Sequence, residues 1–261
     1  MDAPLTGRQA LTANQLSVSA GARELVRDLS AEFVPGELVA ILGRNGSGKT
    51  LTLHTLAGLR PPQRGAVLLG GVPYERLSRR AVALRLGLLA QDLEEGFVTT
   101  AIETVLIGRH PHLALWQWET ADDEHIAHEA LRAVDLAQFA ARHTDTLSGG
   151  EQRRVAVAAL LAQQPDIFLL DEPTNHLDPH HQLVVLRLFR ELARKGRTVI
   201  TTLHDPTLAA RFADRALLLF GDGRWSAGPV SSALTAASLS ELYISPMIEL
   251  QKEGRRVFVS A

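Results

Sequence analysis

The stretch "GRNGSGKT" (Gly43–Thr50) follows the apolar run "GELVAIL" and precedes the helical pattern "LTLHTLAGL". It fits G-x-x-x-x-G-K-[ST] in the strand–loop–helix context that turns a glycine-rich segment into a phosphate cradle. The glycines let the backbone curl so that successive N–H groups converge on a β-phosphate, and the helix N-terminus adds its partial positive charge. Lys49 can then bridge the β- and γ-phosphates, and the Thr50 hydroxyl can ligate Mg2+. Gly43, Arg44, Asn45, Gly46, Ser47, Gly48, Lys49 and Thr50 are therefore expected to surround a nucleoside triphosphate. The alternative, a glycine-rich turn beside a surface lysine, needs neither the flanking strand nor the flanking helix.

Working outward, 261 residues with 46% apolar content can build a sizeable core. Short apolar runs, "ELVAIL", "RLGLLA", "DIFLLD", "RTVITTLH" and "RALLLF", alternate with helical patterns, which is an α/β signature with buried strands. Helical spacing marks "ADDEHIAHEALRAV", where Thr120 and Asp123 fit a capping box, "EQRRVAVAALLAQ" and "HHQLVVLRLFRELARKG". The segment from about 92 to 160 is rich in helix and poor in strand, and reads as an insertion. Residues 1–13 read as a flexible lead-in, and 14–261 as one domain. A formal charge of −2 gives no basic footprint, so no nucleic acid is expected as a partner. No cysteine is present, which excludes disulfides, thiolate metal sites and Cys nucleophiles. The opening "MDAPLTGRQALTA" does not read as a signal peptide, and no apolar run approaches the roughly 18 to 20 residues of a membrane span. A soluble chain is expected.

A triphosphate site also needs acids. "IFLLDE" (Ile167–Glu172) is an apolar strand whose end delivers Asp171 to a magnesium shell, and a bend at its exit lets Glu172 reach a water in line with the γ-phosphate as general base. "LSGGEQRR" (Leu147–Arg154) contains an S-x-x-E capping box, Ser148 with Glu151, opening a helix. A cap does not require Gly149 and Gly150. Bare N–H groups beside a Ser hydroxyl at a helix N-terminus form a second anion site.

These motifs, in this order, resemble the nucleotide-binding subunits of ABC transporters from about Leu16 to Leu250. Gly43–Thr50 is similar to the family's Walker A loop, Gln91 to its Q-loop, and Leu147, Ser148, Gly149, Gly150 and Glu151 to its signature. Ile167–Glu172 is similar to Walker B, "NHLD" (Asn175–Asp178), with Asp178, to the D-loop, and His204 to the switch histidine. The resemblance implies a P-loop NTPase core with a mixed sheet, an N-terminal antiparallel β region and an inserted helical subdomain. It implies ATP and Mg2+ as ligands, with Thr50, Gln91 and Asp171 at the metal and Glu172, His204 and Gln91 in catalysis. It also implies a homodimer, because the signature of one copy faces the phosphate loop of the other. Most of the ten histidines read as ordinary surface residues, including His125, His128, His180 and His181; His204 stands apart at the end of "TVITTLH".

"GR-x-PH" within "VLIGRHPHLALWQWE" (Val105–Glu119), about seventeen residues after Gln91, resembles importers of large metal chelates. The resemblance implies cobalamin or a ferric siderophore as cargo, with cobalamin placed first and haem as the alternative. It further implies a separate multi-span permease, a periplasmic binding protein and a peripheral position on the cytoplasmic face of the inner membrane. Trp116 and Trp118 are expected to pack within the helical lobe, or else to face the translocator. ABC ATPases of translation and DNA repair share these motifs. The first kind normally carries two such domains per chain, and the second a long coiled coil, whereas Lys49 and Ser148 lie 99 residues apart with no heptad run. Two positions depart from the family pattern: Leu51 stands where a second hydroxyl is usual, and Ala20 where an aromatic commonly stacks on adenine. Arg23 is a candidate substitute for that aromatic.

Overall fold

The computed structural model describes residues 10–91, 99–114 and 116–261. The chain opens with β1 (Leu11–Ala20), β2 (Arg23–Phe33) and β3 (Leu38–Leu42), followed by α1 (Lys49–Leu56), β4 (Arg64–Leu69) and β5 (Val72–Pro73). Next come α2 (Arg79–Ala83), β6 (Leu86–Leu89), α3 (Ala101–Leu106), α4 (Ala121–Ala133) and α5 (Gly149–Gln163). The chain returns through β7 (Ile167–Leu170), α6 (Pro179–Arg194), β8 (Thr198–Thr202), α7 (Pro206–Phe212) and β9 (Arg215–Leu219). It ends with β10 (Trp225–Pro229), α8 (Val230–Ala233), α9 (Ala236–Tyr243), β11 (Met247–Lys252) and β12 (Arg255–Ser260). β1 already contains Leu11 and Ala13, both buried, so the ordered fold starts before the boundary expected at residue 14; residues 1–9 of that lead-in lie outside the described residues.

The central sheet has the order β10-β9-β3-β8-β7-β6, parallel from β9 to β6 with β10 antiparallel at one edge. All five apolar runs named from the sequence form its parallel strands. β3, β7 and β8 are buried along their whole length, as expected of parallel strands covered on both faces. A second sheet, β2-β1-β4-β5, is antiparallel throughout and packs against the first. The α/β fold with an N-terminal antiparallel region is thus present. α6 covers the other face of the sheet with Val185, Leu186, Phe189 and Ala193, whose spacing puts them on one helical stripe.

Between β6 and β7, the described residues form helices and turns with one isolated bridge, Thr100 to His143, and α3 and α4 pack on α5 through Val105, Leu131 and Val155 among others. Here one expectation needs correction, and the "GR-x-PH" element takes a packing role: Arg109 is buried, Gly108, Pro111 and His112 are half-buried, and His110 is exposed. A Cβ on Gly108 would sit 2.1 Å from the Ala159 carbonyl oxygen, so only glycine lets this turn approach α5. Arg109, 7% exposed, donates to Asp123 Oδ1 at 2.8 Å and to the Ala162 carbonyl at 2.7 Å, and His112 Nε2 lies 2.8 Å from the Gln163 carbonyl. These bonds satisfy carbonyls that the C-terminus of α5 leaves free. Trp116 and Trp118 do not pack within the lobe: they are 91% and 85% exposed. The capping box of Thr120 and Asp123 forms at the start of α4.

Candidate active site

Topology assembles the site. β3, β8, β7 and β6 are neighbours and parallel, so their carboxyl ends share one edge of the sheet. Each end delivers one expected residue or loop: Gly43 after β3, His204 after β8, Asp171 and Glu172 after β7, and Gln91 after β6. Open α/β sheets bind ligands at this edge. A cleft of about 430 Å³ opens there, lined by Asn45, Lys49, Thr50, Gln91, Glu172 and His204.

In the phosphate loop, Gly46 and Gly48 hold φ of +75° and +99°, left-handed values that strain any other residue. Gly43 is required for space, because a Cβ there would lie 2.6 Å from the Leu219 carbonyl oxygen. Gly48 caps α1 without a side-chain bond, and the first N–H groups of the helix have no partner among the described residues. Lys49 is 5% exposed and donates from Nζ to the Gly43 and Arg44 carbonyls at 2.9 and 3.4 Å. Burial pushes its ammonium below the usual lysine range, and the charges of Glu172 and Asp171 act against that shift. A site that desolvates a lysine among acids is built to be neutralised by an incoming anion.

Asp171 is fully buried. Its Oδ1 accepts from Thr202 Oγ1 at 2.7 Å, while its Oδ2 has no hydrogen-bond partner among the described residues; His54 Nε2 lies 4.0 Å away, beyond bonding reach. The strand exit does bend: Glu172 has φ of +48°, a left-handed conformation rare outside glycine. That bend aims the Glu172 carboxylate into the cleft, where His204 Nε2 meets Oε1 and Asn175 Nδ2 donates to Oε2. Thr202 Oγ1 also accepts from the Glu172 backbone N–H at 2.8 Å. Thr50 Oγ1 lies 3.5 Å from Gln91 Oε1, a long contact between two groups expected at the metal.

The contacts of three residues were not expected: Asn175 with Glu172, Thr202 with Asp171 and Glu172, and Arg153 with the ends of β6 and β7. Arg153, 2% exposed, donates to the carbonyls of Ala90, Gln91, Asp171 and Glu172, tying α5 to the ends of β6 and β7. Only its place in the apolar face of α5 could have marked it.

The expected signature residues are not in this cleft. Ser148 caps α5 through the box with Glu151, its hydroxyl accepting from the Glu151 N–H at 3.3 Å and donating to Oε2 at 2.8 Å. They line a separate hollow of about 510 Å³ with Gly149, Gly150, Asp178 and His181. Asp178 caps α6 there through the His181 N–H, and its other oxygen meets His181 Nδ1 at 2.7 Å. Leu51 and Ala20 both line the cleft, whereas the Thr52 hydroxyl is buried without a partner among the described residues. The Arg23 guanidinium donates to the Gly221 carbonyl at 2.7 Å and is not among the residues that line the cleft.

The sequence profile of the ABC transporter family matches residues 26–175. The chain is 38% identical over 238 residues to the hemin import ATP-binding protein of Thermobifida fusca, covering 91% of this chain and 83% of that one. It is 37% identical over 235 residues to the ferric enterobactin transport ATP-binding protein of Escherichia coli K12, covering 89% and 86%. It is 39% identical over 222 residues to the cobalamin import ATP-binding protein of Halobacterium salinarum, covering 84% and 55%. Among solved structures it is similar to one described as a metal-chelate type ABC transporter in an inward-facing conformation, with a TM-score of 0.84 and 28% identity over 97% of both chains. It is also similar to a dimeric ATP-binding cassette in a post-hydrolysis state with ADP and Pi, with a TM-score of 0.74 and 27% identity over 84% and 98%.

Proposed function

The chain belongs to the ABC transporter family and is an ATPase, and from that premise we propose that it energises a permease importing a large metal chelate. The cargo class spans haem, ferric siderophores and cobalamin, as the names of its relatives do. Cobalamin loses the first place the sequence reading gave it. The "GR-x-PH" element that carried the reading toward chelates braces α5 from inside, and relatives named for hemin stand at similar identity. In this reading the chain sits peripherally on the cytoplasmic face of the membrane, beside a separate permease and a periplasmic binding protein. Among the described residues, no helix is long and apolar enough to cross a membrane.

One observation carries the assignment: the Glu172 carboxylate, bent into the phosphate-loop cleft and held between His204 and Asn175. ATP enters with its triphosphate on the free N–H groups of the loop and α1, and Lys49 exchanges its carbonyl partners for phosphate oxygens. Glu172 accepts a proton from water at the γ-phosphate, and His204 and Asn175 fix the carboxylate so that one lone pair faces that water. Asp171 Oδ2, buried and without a hydrogen-bond partner among the described residues, suits a hard cation or its water shell. Thr50, Gln91 and Asp171 would hold Mg2+, which offsets phosphate charge.

The hollow at Ser148 completes the site in trans. Gly149 has no positive φ, and a Cβ built on it would touch nothing within 4 Å among the described residues, so neither its backbone nor the packing they show requires a glycine there. A missing side chain matters only to something that approaches from outside, and in a head-to-tail homodimer that is the γ-phosphate on a second copy. The purified chain with its permease in vesicles, supplied with the binding protein, should hydrolyse ATP and accumulate labelled haem, ferrichrome or cobalamin. Hydrolysis with no uptake of any chelate would reject the cargo class, and no hydrolysis would reject the site.

A further inference from the structure

The C-terminal hairpin has its polarity inverted. In β11 and β12, Ile248 is paired with Val259 and Leu250 with Val257, which puts these four side chains on one face. That face points outward: Ile248, Leu250 and Val259 are 43%, 50% and 37% exposed. The inner face carries Glu249 and Arg256, joined at 2.6 Å, with the Arg256 guanidinium also donating to the Val230 and Leu234 carbonyls. Phe258 is the buried anchor of that face. A sheet with one solvated face normally alternates apolar-in and polar-out. Here the charged pair points in and the aliphatic row points out.

The hairpin is also fastened to the edge of the active site. The Phe258 N–H donates to Thr207 Oγ1 at 3.0 Å, and the Thr207 hydroxyl lies 3.4 Å from the Phe258 carbonyl. The Tyr243 hydroxyl donates to the His204 carbonyl at 3.2 Å. Ile244, 71% exposed, follows directly and adds an exposed apolar side chain between α9 and the hairpin. Thus α9, the hairpin and the loop of His204, which lines the cleft, are one hydrogen-bonded unit.

We propose that the outer face of this hairpin packs against the same face of a second copy when ATP closes the homodimer. The inference rests on the trans reading of the signature. A two-fold contact sets like against like, which an aliphatic row tolerates and a charged one does not. Four small side chains fall well short of the roughly 800 Å² per partner of a stable interface, so the patch extends a nucleotide-dependent contact and does not hold a dimer alone.

Because the chain has no cysteine, Leu250→Cys in a Glu172→Gln background carries a single thiol. Oxidation with copper–phenanthroline should give a covalent dimer with ATP and Mg2+ and little without, while Trp118→Cys on the helical lobe gives none. Ile248→Asp with Leu250→Asp should raise the concentration for half-dimerisation by about tenfold or more, since charges would be buried unpaired, and leave ATP binding by the monomer unchanged. If light scattering finds the Glu172→Gln chain monomeric with ATP, the trans reading falls and this inference with it. If that chain dimerises but neither the thiol nor the aspartates respond, the hairpin contact alone is overturned.

Discussion

Two helices of this chain begin with glycines beside an open hollow, and they begin differently. α1 has stripped its own cap: Gly48 offers no side chain, and the helix N–H groups face a cleft that also holds a buried lysine and a fixed carboxylate. α5 keeps its cap, the reciprocal box of Ser148 and Glu151, and its hollow contains no lysine and no catalytic acid. The glycines differ as well. Gly43, Gly46 and Gly48 are demanded by space or by positive φ within this chain, whereas Gly149 is demanded by neither. One end holds the phosphate cradle beside a buried lysine and acids, and the other offers a capped helix start with a glycine that its own chain does not require.

The largest effect is expected at the phosphate-loop end. Glu172→Gln should lower ATP turnover by roughly 100- to 10,000-fold while nucleotide binding persists, because the base is lost and the cradle is intact. Filter-binding and phosphate-release assays on the same preparation check this, and turnover within about threefold of wild type would dismiss Glu172 as the base. Next comes the far terminus of α5. Arg109→Ala leaves Asp123 buried without its ion partner and frees the Ala162 carbonyl, which should cost about 3 kcal/mol in urea unfolding. The Thr120 backbone N–H, then Arg109 and the Thr120 hydroxyl, hold the Asp123 carboxyl down at about 2. A carboxylate depressed in the fold stabilises above its unfolded range and loses that contribution as pH falls. Stability should therefore decline from about pH 4 toward pH 2, and Asp123→Asn should flatten that decline.

Much of this was legible in the sequence, for particular reasons. The parallel strands announce themselves because both faces are buried, which leaves uninterrupted apolar runs such as Ile167–Leu170. The phosphate loop, the acid pair and the signature are contiguous, so spacing alone exposes them. The contacts of Asn175, Thr202 and Arg153 were missed because they depend on which strands lie side by side; Thr202 meets Asp171 across 31 residues of sequence. The bracing role of Arg109 was not legible for a related reason. It depends on the Ala162 carbonyl, 53 residues away, and on Asp123, 14 residues away. The hairpin β11–β12 escaped because its apolar row faces outward and so gives no core signal.

Smaller effects sharpen the contrast between the two helix ends. Gly149→Ala should leave folding unchanged or stabilise it by about 0.5 kcal/mol, since glycine is unfavourable in a helix, yet slow hydrolysis. A variant that is both stable and fully active would remove the argument that Gly149 serves an outside ligand. At the first cleft, Ala20 supplies no ring to stack on a base, an interaction worth about 1 to 3 kcal/mol elsewhere. GTP should thus be hydrolysed within about tenfold of ATP, Ala20→Tyr should tighten ATP several-fold, and Arg23→Ala should be silent because its guanidinium is engaged with Gly221.

The most direct test of the division between the two ends mixes two inactive chains. Lys49→Ala removes the cradle and Ser148→Arg blocks the hollow, so each homodimer lacks a working site. A mixed dimer regains one, made from the intact cradle of the Ser148→Arg chain and the intact signature of the Lys49→Ala chain. Equal mixing should restore phosphate release to as much as about a quarter of the wild-type rate, half the dimers each with one of two sites. No recovery, with mixed dimers demonstrated by affinity tags, would mean that the signature acts within its own chain and would contradict the account.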